Sequence, residues 1–381
     1  MIRVNDMEYF SKYVSNTIAA SGNQHPRDFS MMEHVTTRIF YRAAVGGRRD
    51  YSLLFSNIND STFDNGAEGY KNRVYDAWTI HSLKVGVCKN GCFDGTFVSE
   101  EHHVPFLEEK LGEMIPVTFS GSASKRVAPG EFFSTDPVSL APGKGEYVCV
   151  EMTFEGGVIP CYDEFIAPVY MLIDGEWSVA RSVPAPGMIG ADREVKARVG
   201  FIGDSITCGC GTEPDAYAHW NALLAERLGE DFAFRNLGLG YGRAEDAASG
   251  GAWFYKACQN EAVVVCFGVN DILQGREENA IKEDIKTIVR RFKERGIKVL
   301  LQTVPPFGYV GGQISMWHRI NEYIKTELAA EADAVFDTVP VLWLDAEHPN
   351  VPKYDGHPNH EGCRKWADAL YPVMKEFLSE F

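Results

Sequence analysis

The stretch VGFIGDSIT at positions 199–207 decides the fold of the second half of this chain. It opens with the apolar segment Val199–Ile202, which is typical of a strand buried on both faces. It continues through the turn-forming residues Gly203, Asp204 and Ser205 into a region with helical spacing. A strand, a tight turn and a helix form the repeating unit of a parallel α/β sheet. The stretch therefore predicts such a sheet, with Ser205 exposed at its upper edge.

The same alternation continues toward the end of the chain. Further apolar segments predict strands at 232–237, 262–267, 299–301 and 334–336. Segments with helical spacing lie at 216–228, 281–292, 320–330 and 361–378. Because the strands are continuously apolar, helices should cover both faces of the sheet. Ligands of such sheets bind beyond the carboxyl ends of the strands, so this edge is where we look for chemistry.

Four polar segments lie at or just after these ends. They are GDSIT at 203–207, NLGLGYG at 236–242, GVND at 268–271 and DGHPN at 355–359. Each alone has a plain structural explanation, as a common turn, a flexible turn, a helix cap or a histidine beside a helix. Together they supply a serine nucleophile, donors for an oxyanion and a general base. Their conjunction at one edge of one domain predicts acyl transfer.

This combination resembles the SGNH (GDSL-like) hydrolase superfamily over residues 195–381. The resemblance implies an α/β fold, a flavodoxin-like three-layer SGNH hydrolase domain with a parallel sheet. It also implies a serine esterase in which Ser205 is the nucleophile and His357 the general base. The oxyanion would be held by the N–H of Ser205, a backbone N–H at Gly240 and the Asn270 amide.

The sequence departs from the family pattern at two places. The family's acid lies three residues before the histidine, where this chain has Tyr354, and Asp355 lies only two residues before it. We expect Asp355 to orient the imidazole in a catalytic triad, and the alternative is a Ser-His dyad oriented by backbone carbonyls. The family's oxyanion glycine falls on Tyr241, between Gly240 and Gly242. Since the chemistry needs only an amide, any of these three can serve, and we assign Gly240.

The first half of the chain has a different pattern. Between residues 34 and 180, short β-patterned segments are separated by glycine, proline and aspartate, which predicts an all-β jelly roll or sandwich. The clearest segments lie at 39–45, 51–56, 117–120, 147–154 and 169–173, the first two placed around the turn Gly46-Gly47. Part of 6–21 has the pattern of a short helix, and Pro184–Gly187 that of a linker. We therefore expect a sandwich domain at 1–185 and a catalytic domain at 195–381.

This half also resembles the β-sandwich that precedes the catalytic domain in some GDSL-type esterases. The similar segments are 38–57, 117–137 and, in the second half, TVPPFG at 303–308. Such enzymes are often carbohydrate esterases that remove acetyl groups from plant polysaccharides. The resemblance implies hydrolysis of short-chain acetyl esters on carbohydrates. A lipase or thioesterase for longer acyl chains and a catalytically weak carbohydrate-binding protein are the alternatives.

Aromatic residues near the strand ends bear on the substrate. Phe307, Tyr309 and Trp317, together with 253–255, either form a wall on which sugar rings stack or pack beneath loops. The sequence has no broad apolar segment that resembles a lid, which favours a short acyl group. The expected partner is thus a small-molecule or oligosaccharide ester, and the oligomeric state stays open.

Composition excludes several classes of function. A formal net charge of −16 over 381 residues repels nucleic acid and anionic membranes. No stretch approaches the ~18 apolar residues that span a bilayer. The first residues lack the pattern of a signal peptide, which predicts a cytoplasmic protein, and the alternative is a secreted protein trimmed at its start.

The cysteines suggest no framework of disulfides. Their number is nine, which is odd, and they are scattered along the chain. Cys88 with Cys92, and Cys208 with Cys210, each have the spacing of half a zinc site, but no second pair accompanies them. We expect reduced thiols. The predicted reaction needs neither a metal nor an organic cofactor.

Overall fold

A computed structural model describes residues 6–19, 22–60, 63–64, 67–68, 71–93, 106–162, 167–213 and 215–381 of the protein. The chain forms two compact units. The first comprises the described residues of 1–60, 70–194 and 213–215, and the second those of 61–69, 195–212 and 216–381. All four polar segments at the predicted strand ends belong to the second unit.

The elements have the following bounds. The first sixteen strands in chain order are β1 Val14–Ser15, β2 His25–Asp28, β3 Val35–Arg42, β4 Arg49–Ser56, β5 Phe63–Asp64, β6 Ala67–Glu68, β7 Trp78–Cys88, β8 Ile115–Val117, β9 Lys125–Val127, β10 Phe132–Ser134, β11 Val138–Leu140, β12 Tyr147–Glu155, β13 Val158–Cys161, β14 Val169–Ile173, β15 Glu176–Val179 and β16 Met188–Ala191. The later strands are β17 Ala197–Gly203, β18 Phe232–Gly238, β19 Ala262–Cys266, β20 Lys298–Gln302 and β21 Ala334–Phe336. The α-helices are α1 Asp6–Lys12, α2 Ser205–Cys208, α3 Trp220–Leu228, α4 Ala244–Ala248, α5 Ala252–Ala257, α6 Val269–Leu273, α7 Glu278–Lys293, α8 Gly312–Lys325, α9 Val339–Leu342 and α10 His360–Phe377. Of the helices that the structure describes, none has the length and apolar character needed to cross a membrane.

The sheet of the second unit confirms the predicted α/β fold. Its five strands are parallel and lie in the order β18-β17-β19-β20-β21. Numbered along the chain this order is 2-1-3-4-5, the flavodoxin-like arrangement. The order reverses beside β17, so a crevice is expected outside the carboxyl ends of β17 and β19. Ser205 follows the first of these strands, and Asn270 follows the second.

Continuous burial explains why these segments form a parallel sheet. Every residue of β19 is buried, and so are all residues of β20 after the first. Helix α7 covers the sheet with apolar residues spaced three or four apart, among which Ile281, Ile285 and Phe292 are buried. Such spacing places them on one face of the helix while charged residues line the other. The predicted helix at 281–292 is thus confirmed.

Two stacked indoles join helices on one side of the sheet. Trp220 of α3 and Trp366 of α10 have ring centroids 4.8 Å apart and an angle of 10° between their planes. Both side chains are fully buried. The Trp366 indole N–H also donates to Gln302 Oε1 of β20 at 2.8 Å. This contact attaches α10, which follows the candidate base His357, to the central sheet.

The first unit consists mainly of antiparallel sheets and is consistent with the predicted β-sandwich. One sheet has the order β15-β14-β3-β12-β7-β8 and another the order β1-β16-β4-β10. The strands predicted around Gly46-Gly47 correspond to β3 and β4, but these lie in different sheets. Both are buried along most of their length, which suits two inner strands better than a hairpin with one wet face.

Strand β16 lies beyond the proline-rich segment Pro184–Gly187 and still belongs to the first unit. It pairs with β4 on one side and with β1 on the other. The pairing of β1 with β16 begins at Val14, two positions after helix α1 ends at Lys12. The helix predicted within 6–21 is therefore confined to its first part, because sheet pairing takes the residues that follow.

The prediction of reduced thiols is wrong for one pair of cysteines. Cys88 and Cys92 form a disulfide, with their Cα atoms 6.2 Å apart. Cys88 ends β7, and the amide of Cys92 donates back to the Lys89 carbonyl in a turn, which brings the two sulfurs together. Cys149 packs in the same buried cluster as a thiol, and burial raises its pKa. The short loop between two cysteines was the sequence signal for this bond.

Replacing Trp366 by alanine tests the contribution of the stacked pair. Trp366→Ala leaves a cavity against Trp220 and an unpaired Gln302 side chain, so we expect a loss of about 3–5 kcal/mol in the free energy of unfolding. Urea denaturation measures this loss. Leu344→Ala is the control: Leu344 is 48% exposed, so a change within about 0.5 kcal/mol is expected. Equal effects of the two substitutions would contradict the assignment.

Candidate active site

The candidate nucleophile lies in a tight turn after β17. Asp204 begins helix α2, and its Oδ1 accepts a hydrogen bond from the Ile206 amide at 2.9 Å. Gly203 leaves no room for a side chain, because a Cβ there would meet the Thr207 hydroxyl and lie 2.5 Å from the Cys266 carbonyl oxygen. The turn therefore depends on both residues, and it sets Ser205 at the first position of the helix.

The structure brings the predicted nucleophile and base together. Ser205 Oγ and His357 Nε2 are 2.7 Å apart, within hydrogen-bonding distance, although 152 positions separate the two residues in the chain. His357 precedes helix α10, whose first turn is capped by Asn359 through bonds from the amides of Glu361 and Gly362 at 3.1 Å each. This cap fixes where the chain enters the helix and hence where the imidazole lies.

Two residues that the sequence did not point to as neighbours of the base lie against His357, Phe307 against its ring and Gly211 against its backbone and Cβ. The Phe307 ring stands edge-on to the imidazole, with centroids 5.4 Å apart and an angle of 86°. Gly211 packs so closely that a Cβ at this position would lie 2.5 Å from the His357 carbonyl oxygen. Burial lowers the pKa of His357 below its ordinary 6.5, so the ring is neutral near pH 7. A neutral imidazole beside a serine hydroxyl can accept its proton.

Asp355 lies apart from this pair. Its side chain is exposed and its backbone is left-handed, with φ of 69°. Between these two described residues, Asp355 and His357, there is no hydrogen bond or ion pair. The neighbouring Tyr354, which occupies the family's acid position, is buried and packs against Gly362. A spacing of two residues thus leaves this carboxylate in solvent rather than beside the imidazole.

A chain of hydrogen bonds joins the nucleophile turn to the other two segments. The Leu239 amide donates to the Gly203 carbonyl at 3.0 Å, and the Gly242 amide donates to the Leu239 carbonyl at 3.1 Å. Asn270 Nδ2 then donates to the Gly242 carbonyl at 3.0 Å. The segments after β17, β18 and β19 are therefore held in one arrangement.

This arrangement narrows the choice of oxyanion donors. The Gly242 amide is already used within the turn, so it does not serve. Gly240 and Tyr241 occupy the corner of the turn, and no acceptor among the described residues pairs with their amides. Tyr241 takes the left-handed conformation that usually favours glycine, with φ of 58°. The Asn270 amide has a second N–H beyond the one bonded to Gly242, and it can point at a ligand.

Comparison with known proteins agrees with this geometry. The GDSL-like Lipase/Acylhydrolase family matches residues 201–365. Residues 201–365 therefore form a GDSL-like domain. The match spans the nucleophile turn, the Asn270 segment and His357, and it supports an ester hydrolase.

Solved structures were compared as well. A member of the lipolytic protein G-D-S-L family from Veillonella parvula is 20% identical over 47% of this chain and 98% of its own, with a TM-score of 0.38. An active-site mutant of a family two carbohydrate esterase from Clostridium thermocellum is 13% identical over 97% of this chain and 98% of its own, with a TM-score of 0.39. A family two carbohydrate esterase from Cellvibrio japonicus is also 13% identical, over 96% of this chain and 97% of its own, with a TM-score of 0.37. The curated proteins include no match. None of these likenesses identifies a substrate.

Buried carboxyl groups lie beneath the site of the GDSL-like domain. Asp204 is fully buried, and this burial raises the pKa of its carboxyl to about 7. Its Oδ2 has no partner among the described residues. Burial also raises the pKa of Asp271, although that carboxylate accepts bonds from the Ala244 amide at 3.0 Å and from Arg276 at 2.6 Å. Asp204 thus supports the turn from below rather than facing a substrate.

The predicted aromatic wall is largely absent from the GDSL-like domain. Tyr309, Trp317, Trp253 and Phe254 are buried, and the two indoles donate to backbone carbonyls. Packing beneath loops, the alternative weighed from the sequence, therefore describes these four residues. Phe307 differs because it is only half-buried and contacts the candidate base.

The raised pKa of Asp204 predicts that the stability of the protein falls as the pH rises. Below pH 3.8 the group is protonated in both states, and between 3.8 and about 7 only the folded protein keeps the proton. The free energy of unfolding should therefore drop across this window, by about 4 kcal/mol at most. Asp204→Asn keeps a capping oxygen and removes this dependence, so its stability relative to the parent should rise from pH 4 to 7.

Urea denaturation at several pH values measures that difference. Asp355→Asn, which removes an exposed carboxyl group, is the matched control, and its stability should stay within about 0.5 kcal/mol of the parent. A gap between Asp204→Asn and the parent that stays constant with pH would show that the buried carboxyl does not titrate in this way.

Proposed function

We propose that the protein is a serine esterase that hydrolyses short-chain esters, above all O-acetyl groups on carbohydrates. The observation that carries the proposal is the 2.7 Å contact between Ser205 Oγ and His357 Nε2. It lies at the carboxyl edge of the sheet in a domain of the GDSL-like acylhydrolase family. The charge of −16 suits a neutral or cationic substrate better than a polyanion.

The proposed reaction has two acyl transfers. Ser205 Oγ attacks the ester carbonyl while His357 Nε2 takes the hydroxyl proton, and the imidazolium returns this proton to the departing alcohol. Water then attacks the acyl-serine with His357 again as base, which releases the acid and restores the hydroxyl. Amides of Ser205 and of Gly240 or Tyr241, together with Asn270 Nδ2, stabilise the oxyanion, each by about 3 kcal/mol.

A Ser-His dyad fits the site better than the triad that the sequence suggested. A triad needs a carboxylate bonded to the imidazole nitrogen that does not face serine. Asp355 is exposed and makes no such bond, whereas Phe307 and Gly211 pack against the histidine from within the domain. We therefore assign the orientation of the imidazole to packing and leave Asp355 outside the reaction.

One observation favours the alternative of longer acyl chains. The exposed large apolar side chains in the described part of the second unit all follow carboxyl ends of strands. They are Tyr241 after β18, Leu273 after β19, Val310 after β20 and Leu344 after β21. An acyl chain that leaves the crevice could lie along them. They stand singly rather than in one long segment, so we keep the acetyl ester as the first candidate.

A series of 4-nitrophenyl esters tests the proposed function. We expect kcat/KM to fall from acetate through butyrate to octanoate, and a maximum at octanoate would favour a lipase or thioesterase.

Ser205→Ala should lose at least about 10³-fold of the acetate activity, since the nucleophile is removed. A variant as active as the parent would refute the serine mechanism. Acetate release from acetylated xylan, mannan and pectin oligosaccharides then identifies the carbohydrate.

Asp355→Asn separates the dyad from the triad. Because Asp355 is not bonded to the imidazole, we expect kcat for 4-nitrophenyl acetate to stay within about threefold of the parent. Replacing the aspartate of a working triad by asparagine costs about 10⁴-fold. His357→Ala serves as the positive control for loss of the base. A large loss in Asp355→Asn with unchanged thermal stability would restore Asp355 to the mechanism.

A further inference from the structure

A second cluster of potential ligands lies in the first unit, outside the candidate active site. His34, His81 and Glu155 each offer one ligand atom, and these atoms all lie within 4.8 Å of one another. The residues come from neighbouring strands of one sheet, in which β12 lies between β3 and β7. His34 directly precedes β3, His81 belongs to β7, and Glu155 ends β12. The esterase mechanism uses none of them.

Strand register explains why two of these side chains meet. Val35 of β3 pairs with Phe154 of β12, so the next residues outward along this pair are His34 and Glu155. Both lie at the same end of the sheet and are exposed. Thr36 and Thr153, two residues inward from His34 and Glu155 and on the same face, hydrogen-bond to each other at 2.9 Å, which shows that side chains of this face are in contact.

A β-bulge adds the third side chain. Ser82 pairs with Thr153 and Ile80 pairs with Phe154, so His81 is an extra residue with no partner on β12. The alternation of burial along β7 is broken here, because His81 and Ser82 are both half-buried. Bulges commonly redirect a side chain, and this one keeps His81 on the face of Glu155. His81 Nε2 then lies 3.2 Å from Glu155 Oε2.

The two imidazoles also lie against each other. Their ring centroids are 4.7 Å apart and their planes meet at 72°. Two neutral imidazoles and one carboxylate are a common ligand set for zinc, which takes three protein ligands and leaves a fourth position to water. Tetrahedral bonds of about 2.0–2.2 Å place ligand atoms about 3.5 Å apart. The ligand atoms here lie up to 4.8 Å apart, and rotation of the partly exposed side chains would bring them to the tetrahedral spacing.

We propose that His34, His81 and Glu155 bind one zinc ion, with the fourth position open to water. The ion would link the ends of β3, β12 and β7. It would therefore stabilise the first unit, since a ligand that binds only the folded state raises the midpoint of thermal unfolding. The proposal is independent of the esterase function, because its residues lie in another unit of the chain.

Zinc binding to the full chain, purified without a histidine tag and treated with EDTA, tests the proposal. Isothermal titration with ZnCl₂ should show one ion per chain. His81→Gln and Glu155→Gln should each weaken the affinity by at least about 100-fold, since loss of a mere supporting residue already costs 10–100-fold. Co²⁺ should give the intense visible absorption of a tetrahedral site in the parent and not in these variants.

The matched control is a histidine beside a single carboxylate. His348 Nδ1 lies 2.9 Å from Asp345 Oδ1 and belongs to no three-ligand cluster among the described residues. His348→Gln should keep the parent's zinc affinity. His34→Gln, which lies outside the strand, gives a second reading if a strand variant fails to fold, and circular dichroism checks each protein. Parent binding no tighter than that of His81→Gln, or binding unaffected by all three substitutions, would overturn the proposal.

Discussion

Three backbone and side-chain hydrogen bonds hold the site of this protein together. They run from the Gly203 carbonyl through the Leu239–Gly242 turn to Asn270 Nδ2. Parallel strands deliver their carboxyl ends to one edge, but the loops beyond them are free to diverge. These bonds remove that freedom, because each loop uses a polar group of the next. The proposed oxyanion donors include the Gly240 and Tyr241 amides, which pair with no acceptor among the described residues.

Burial beneath this edge controls the charges of the site. Asp204 is sealed under the nucleophile turn, and its raised pKa follows from the loss of water around a carboxylate. The same cause acts with the opposite sign on His357, whose neutral form is favoured because the ring is largely shielded. A buried acid and a neutral base therefore coexist in one region without an ion pair between them.

Much of this arrangement was predictable from the sequence. The apolar run before Ser205 and the fully apolar β19 before Asn270 indicated a parallel sheet, since only strands covered on both faces are apolar throughout. The contact of Ser205 with His357 was predicted because both segments were expected at the carboxyl edge of the sheet, although the two residues are 152 positions apart in the chain. The failure at Asp355 has a local cause. A left-handed backbone at that residue turns its carboxylate into solvent, and no pattern of residue types reports a backbone angle.

The amino-acid sequence by itself indicated the alternation of strands and helices in the second unit and the candidate roles of Ser205, His357 and Asn270, because periodicity and turn residues act over short stretches of chain. Only the tertiary structure decided which amides of the Leu239–Gly242 turn have no acceptor among the described residues, that Phe307 packs on His357, and that Cys88 is bonded to Cys92. It also decided that β3 and β4 lie in different sheets, and that a bulge at His81 faces Glu155. These features depend on contacts between distant segments, whose geometry is set only when the whole core packs.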